Sequence, residues 1–197
     1  MKKAFLFFCL LSATALFGQT TPEPPLTPAS FSVWSQRMDM SAYIGKKYRL
    51  TVAIRVQAGN PEGFACAFIR NEFPQGGLRA WVYMDNMFDR TVRDSTWKTY
   101  NLEYTVSKDA PWLGFGVLAF SSGVFYYDDM HLSVETEPGT WKELPIENGD
   151  FEGEDIRPWQ QTAQGVPTRV LGAVATLSLQ TPFAGKQCMK IENRFLK

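Results

Sequence analysis

Few side chains in this sequence could do chemistry, and their spacing excludes most catalytic machinery. His131 is the single imidazole among 197 residues, so a nucleophilic triad would have to be built on it. No Gly-x-Ser-x-Gly turn stands anywhere to supply the serine. Along its own segment His131 alternates with Asp129 and Ser133, the polar side of a period-two pattern, which is the setting of a surface histidine. One histidine and two distant cysteines, Cys66 and Cys188, give no C-x-x-C or H-E-x-x-H constellation for zinc. A glycine-rich phosphate loop is missing as well. Carboxylate pairs for glycoside hydrolysis depend on a separation set by the fold, and 20 acidic residues make some pair inevitable. The residues therefore read as those of a protein that is not an enzyme.

The remaining chemical signal is aromatic. Sugar rings present apolar C–H faces that stack on Trp and Tyr, while their hydroxyls take planar hydrogen bonds from Asn, Asp, Gln and Arg. Residues 79–90, RAWVYMDNMFDR, offer that mixture. Trp81 and Tyr83 share one side of a short strand, Arg79 stands beside them, and Asn86, Asp89 and Arg90 occupy the following loop. Arg55 and Arg70 could project from neighbouring strands. Aromatics also dominate sandwich cores, so Trp81 and Tyr83 would serve equally as ordinary core residues. Trp97, Tyr100 and Trp159 are assigned to the core.

These residues have to be positioned by strands. The composition, 45% hydrophobic and 14% aromatic, is that of a folded globular chain. Lys and Arg number 20 against 20 Asp and Glu, so the basic footprint that nucleic acid or an anionic membrane surface requires is missing. Residues 1–18, MKKAFLFFCLLSATALFG, read as a secretory signal peptide: two lysines, an apolar run containing Cys9, then a small residue. That run falls short of the ~18 apolar residues of a membrane span, so the expectation is a secreted protein, periplasmic, cell-surface or extracellular, with no membrane span. Residues 19–30, QTTPEPPLTPAS, form a proline-rich leader. An oxidising compartment would let Cys66 and Cys188 pair, although buried free thiols suit their apolar surroundings as well.

From Tyr48 the apolar period becomes two, with Tyr48, Leu50, Val52, Ile54 and Val56 on one side. After the turn cluster 58–63, GFACAFIR reads as a strand that could pair back antiparallel. Further short runs at 79–84, 97–106, 112–120, 124–135, 173–179 and 187–192 are rich in Val, Phe, Tyr, Trp and Thr. No window carries a capped helical stripe, so the fold class is all-β. The strand spacing favours an antiparallel sandwich or barrel over a parallel sheet.

Several stretches in order, SAYIGKKYRL (41–50), AIRV (53–56), MDNMFDR (84–90), DSTWKTY (94–100) and YYDDMHL (126–132), resemble the galactose-binding-domain-like jelly rolls, a group that includes many carbohydrate-binding modules. The likeness covers residues 31–137 and is similar to the accessory modules of secreted Bacteroidota-type proteins, often found ahead of a peptidase or esterase domain. Residues 146–193, with ENGDFE (147–152), Pro158-Trp159 and FAGKQCMKI (183–191), look like the opening of such a module. In that family the opening strands come first. Here they come last, so the chain is either one jelly roll with its opening strands permuted to the C-terminus or a pair of modules missing strands at both ends. Unpaired edges are costly, which favours a single closed domain over 31–197.

The resemblance implies a secreted, non-catalytic binding module whose partner is a polysaccharide or other glycan. A protein-interaction module docking through the same face is the alternative. It also implies a structural calcium ion between opening and closing strands, with Asp150, Glu152 and Asp128 or Asp129 as ligands. Strand parity leaves open which Asp of the pair points inward, and these carboxylates would equally suit turn caps or solvent.

Overall fold

The structure, a computed structural model, describes residues 26–27, 30–57, 59, 62–75, 81–163, 166–167, 169–170 and 172–195. The expected signal peptide, most of the 19–30 leader and Arg79 lie outside the described residues. Strands β1 (Leu26–Thr27), β2 (Phe31–Asp39), β3 (Lys47–Val56), β4 (Phe64–Glu72), β5 (Trp81–Asp85), β6 (Lys98–Thr105) and β7 (Trp112–Phe120) make up the first part of the chain. They are followed by β8 (Gly123–Glu137), β9 (Thr140–Leu144), β10 (Gln160–Ala163), β11 (Val166–Pro167), β12 (Arg169–Val170), β13 (Ala173–Ser178) and β14 (Cys188–Asn193). A single 3-10 turn, Ser41–Tyr43, is the only helical element among the described residues.

The strands form two antiparallel sheets packed face to face, an all-β sandwich. The first sheet has the order β11-β10-β2-β7-β4-β5; the second runs β13-β14-β8-β3-β6, with β9 also on β8. Apart from these, β1 and β12 form a short parallel pair. The chain crosses repeatedly between the layers, which is why β3 and β4 do not form the hairpin their spacing suggested. β4 is buried on both faces, so it sits inside the first sheet between β7 and β5, while the flanks of β3 are taken by β6 and β8.

Residues 160–193 close edges that residues 31–137 would leave open. β10 pairs with β2 through Gln160↔Ser35, and β14 pairs with β8 from Met189↔Tyr127 to Asn193↔Gly123. Both late strands thus satisfy backbone groups of early ones. Tyr48, Leu50, Val52, Ile54 and Val56 all face the core, as their alternation requires.

In β8 the inward parity changes partway. Phe125 and Tyr127 point inward, then Met130, Leu132 and Val134 do. A bulge opposite Thr51–Ala53 inserts the extra residue, and Asp129 takes φ = 50° there. Neither Asp128 nor Asp129 therefore enters the core: Asp128 shares the outer face with Tyr126, and Asp129 is the bulge. Cys66 on β4 and Cys188 on β14 stand in different sheets as free, buried thiols, and burial pushes each up to about 12.

Candidate functional site

The outer face of the first sheet is assembled row by row through its register. Phe31, Phe120 and Phe64 lie side by side across β2, β7 and β4. Two residues further along, Val33, Leu118 and Cys66 align, then Ser35, Gly116 and Phe68, then Arg37, Gly114 and Arg70. The face thus grades from aromatic to charged over one strand length.

The aromatic end is a stack. Ring centroids of Phe31 and Phe120 are 5.2 Å apart, those of Phe64 and Phe120 4.5 Å, and Phe88 meets Phe120 edge-on at 5.3 Å. Phe88 reaches this stack because the loop after β5 is pinned to β4. The Ala67 amide donates to Met87 Sδ at 3.3 Å, and Asp85 Oδ1 accepts from the Met87 amide at 3.0 Å. A cavity of about 540 Å³ opens there, with Trp81, Met84, Phe68 and Leu118 in its walls and Arg70, Asn86 and Thr162 as its polar contacts.

At the charged end Glu72 is clamped between two guanidiniums. Its Oε2 accepts from Arg37 Nε at 2.6 Å, and its Oε1 accepts from Arg70 Nε at 2.5 Å and pairs with Arg70 Nη2. The side chains of Glu72, Arg70 and Arg37 are 7%, 9% and 33% exposed. Arg37 also lies over the Trp112 ring at 4.3 Å and donates to the Phe73 carbonyl at 2.5 Å, which fixes its fork. Glu72 leans across β7 because residue 114 is glycine, where a Cβ would collide with Glu72 Oε1. A polar recess of about 380 Å³, lined by Ser35, Gln36, Glu147 and Gln160 as well as by the triad, continues from here and shares Arg70 and Thr162 with the aromatic cavity. The two cavities adjoin at Arg70 and Thr162, an apolar half and a polar half of what is here termed the groove.

Of the residues expected to form a site, Trp81, Arg70 and Asn86 line this groove. Tyr83 does not. Opposite Asn71 and Glu72, β5 carries one extra residue, Val82, so Trp81 pairs with Glu72 while Tyr83 pairs with Asn71. The bulge splits the two rings that strict alternation would put on one side. Tyr83 faces the other way and stacks on Tyr104 of β6, centroids 3.3 Å apart, where burial raises its hydroxyl pKa.

Asp89 and Arg90 are outside the groove lining; Arg90 pairs with Asp85 and Asp89 at 2.5 and 2.6 Å. Arg55 belongs to the second sheet, stacked 3.7 Å over Tyr126 and 5.0 Å from Trp97, with Nη2 donating to Thr181 Oγ1 at 2.8 Å. Trp97, assigned to the core from sequence, is half-buried in that outer cluster and donates to the Thr181 carbonyl, whereas Trp159 is a core residue.

Arg37, Glu72, Phe31, Phe88, Phe120 and Thr162 were missed. The available signal was parity: Arg70 and Glu72 occupy the same side of β4 as Phe64 and Phe68, and Arg37 the same side of β2 as Phe31 and Val33.

Each of the four carboxylates implied as calcium ligands has hydrogen-bond partners within the chain. Asp128 is buried; its Oδ2 accepts from the amides of Phe183 and Ala184 at 2.8 and 3.1 Å, and its Oδ1 from the Asp129 amide at 2.8 Å. Burial raises its carboxyl above the ordinary range, partly offset by these N–H groups. Glu152 Oε1 accepts from the amides of Lys186 and Gln187 at 2.7 and 3.0 Å, which lowers its pKa. Asp129 Oδ1 shares a hydrogen bond with His131 Nε2 at 2.9 Å, and Asp150 Oδ1 accepts from the Glu152 amide at 3.2 Å. A calcium ion needs six to eight oxygens around one point. Among the described residues no group of three or more acidic, His or Cys side chains converges in that way. The carboxylates of Asp128 and Glu152 hold the 183–187 segment against β8 and the 147–153 loop through these amides.

His131 sits on the outer face of the second sheet, between Glu143 at 2.7 Å and Asp129. Partial burial pulls its imidazole down, and its two carboxylate partners outweigh this, leaving the pKa above its ordinary value. No helix among the described residues is long and apolar enough to cross a membrane.

Comparison of the chain with known protein families, with curated proteins and with solved structures finds no match in any of the three.

Proposed function

We propose that this chain is a secreted, non-catalytic binding module, acting at the cell envelope or outside it, that holds a glycan in the groove on its first sheet. One observation carries the reading: a single groove joins an exposed tryptophan, Trp81 at 41% exposure, to a floor of fixed hydrogen-bonding side chains at Arg70. A sugar ring needs that pairing, an apolar face for its C–H groups and planar donors for its hydroxyls. Both oxygens of Glu72 are engaged by guanidiniums, so the carboxylate in the floor is positioned to orient arginines rather than to act on a substrate.

A second reading has its own support. The apolar half is built largely from Phe, Leu, Val and Met, which would also seat an apolar side chain of a protein partner. Retardation of residues 19–197 in native gels containing soluble polysaccharides separates the two. The glycan reading expects at least one polysaccharide to retard the protein, and Trp81→Ala to weaken that binding by about 30-fold, the loss of about 2 kcal/mol of stacked apolar contact. A protein indifferent to every glycan would sink this reading and leave the protein partner.

A further inference from the structure

The chemical class of the glycan follows from the charge in the groove floor, on the reading that the groove is the binding site. Arg37, Glu72 and Arg70 together carry one positive charge more than they neutralise. The nearly buried Glu72 and Arg70 balance each other, and the excess charge enters with Arg37, whose side chain is 33% exposed and shares the same carboxylate. Glu147, the other carboxylate of the recess, is solvent-exposed and therefore screened. Arg90 is paired with two carboxylates, Asp85 and Asp89, outside the groove lining, and this cluster adds no positive charge to the floor.

The hydrogen-bonding polarity agrees with the charge. Guanidiniums occupy both oxygens of Glu72, which removes that acceptor. Arg70 gives Glu72 its Nε and Nη2, so the donor this point of the floor offers a ligand is the Nη1 side of Arg70. Neutral sugar hydroxyls are donors and acceptors together, whereas a carboxylate is acceptor-only and matches a guanidinium fork. Arg70 also stands where the two halves of the groove meet, in the same cavity as Trp81. A ring stacked on Trp81 would direct its acidic substituent at Arg70.

We propose that the groove recognises an acidic glycan, a polysaccharide of uronic acid residues, with a carboxylate held by Arg70 and the sugar face on Trp81. The test is titration calorimetry with polygalacturonate, alginate and hyaluronan, each beside its own carboxyl-reduced neutral form, at low and high sodium chloride. At least one acidic polymer should bind, with its reduced form about 10- to 100-fold weaker, the range of one charge-assisted hydrogen-bonded contact. Salt should weaken only the acidic polymer.

Arg70→Gln should abolish the preference while Glu72 keeps its Arg37 partner and the fold, checked by melting. Glu72→Gln, which raises the positive charge of the floor, should retain acid binding if folded. Equal binding of acidic and reduced forms, or binding of neutral glycans alone, would overturn the proposal while leaving the groove a glycan site. Failure to bind any glycan would overturn both.

Discussion

Replacing Asp128 by alanine tests whether a carboxylate, rather than a metal ion, ties the 183–187 segment to β8. The side chain is fully buried and accepts three backbone N–H groups, from Phe183, Ala184 and Asp129. A hydrogen bond to a charged acceptor contributes about 1.5–3 kcal/mol, and about half of that where water can replace the acceptor. Phe183 and Ala184 are exposed enough for water to reach their amides. The substitution also relieves the desolvation that raises the Asp128 carboxyl above its ordinary range, which offsets part of the loss. The balance is a destabilisation of about 2 kcal/mol, or a melting midpoint lower by about 4–8 °C for a domain of this size. Hydrogen exchange should localise the damage: the Phe183 and Ala184 amides lose protection while those of β7 keep theirs. Calcium and EDTA should leave the wild-type midpoint unchanged. A variant melting within about 1 °C of wild type with those amides still protected, or a midpoint that climbs with calcium, would refute the reasoning.

Two further outcomes follow from titratable groups. In an NMR titration His131 should titrate above 6.5, and Glu143→Gln should bring it down towards that value. Because the folded value is the higher one, the stabilisation from this imidazolium is complete below pH 6.5 and fades as pH rises through the folded value; an imidazole titrating at or below 6.5 would contradict the geometry. Cys66 and Cys188, buried and pushed up to about 12, should resist thiol reagents at pH 8 until the protein is unfolded, and rapid labelling of the native protein would show that the sheets open locally.

Regular alternation made part of this molecule readable. β3 shows five apolar residues at period two and buries all five, because a strand with one face on a core admits no other register. Bulges defeated the same logic twice. Asp129 shifts the inward parity of β8, and Val82 separates Trp81 from Tyr83, yet neither position carries the glycine or proline that usually signals a break. Arg55 was placed near the site because β3 and β4 are neighbours in sequence, whereas the connection between them crosses from one sheet to the other. Trp81 and Asn86 line the groove from a segment whose local composition marks it, and Arg70 from β4, a strand of the same sheet. Arg37 and Glu72 were missed, since they are 35 residues apart and meet only through the register of β2, β7 and β4.

That register gathers choices a sheet selected for stability alone would not make. One row of the first sheet sets Arg37, Gly114 and Arg70 side by side, where branched or aromatic side chains would pack best. Three charged groups are largely withdrawn from water there, and replacing such a buried triad with apolar residues is commonly neutral or stabilising by about 1–4 kcal/mol. Charge burial, a missing side chain and an exposed tryptophan coincide in one groove, and locally unfavourable choices concentrated at one place support the proposal that the groove binds a ligand. On that proposal the combined variant Arg37→Met, Arg70→Met, Glu72→Leu should melt at or above the wild-type midpoint while failing to bind the acidic polysaccharide that the wild-type protein binds. A variant that melts several degrees lower would make the triad a structural clamp of the sheet, and its net charge would cease to be a reason to expect an anion in the groove.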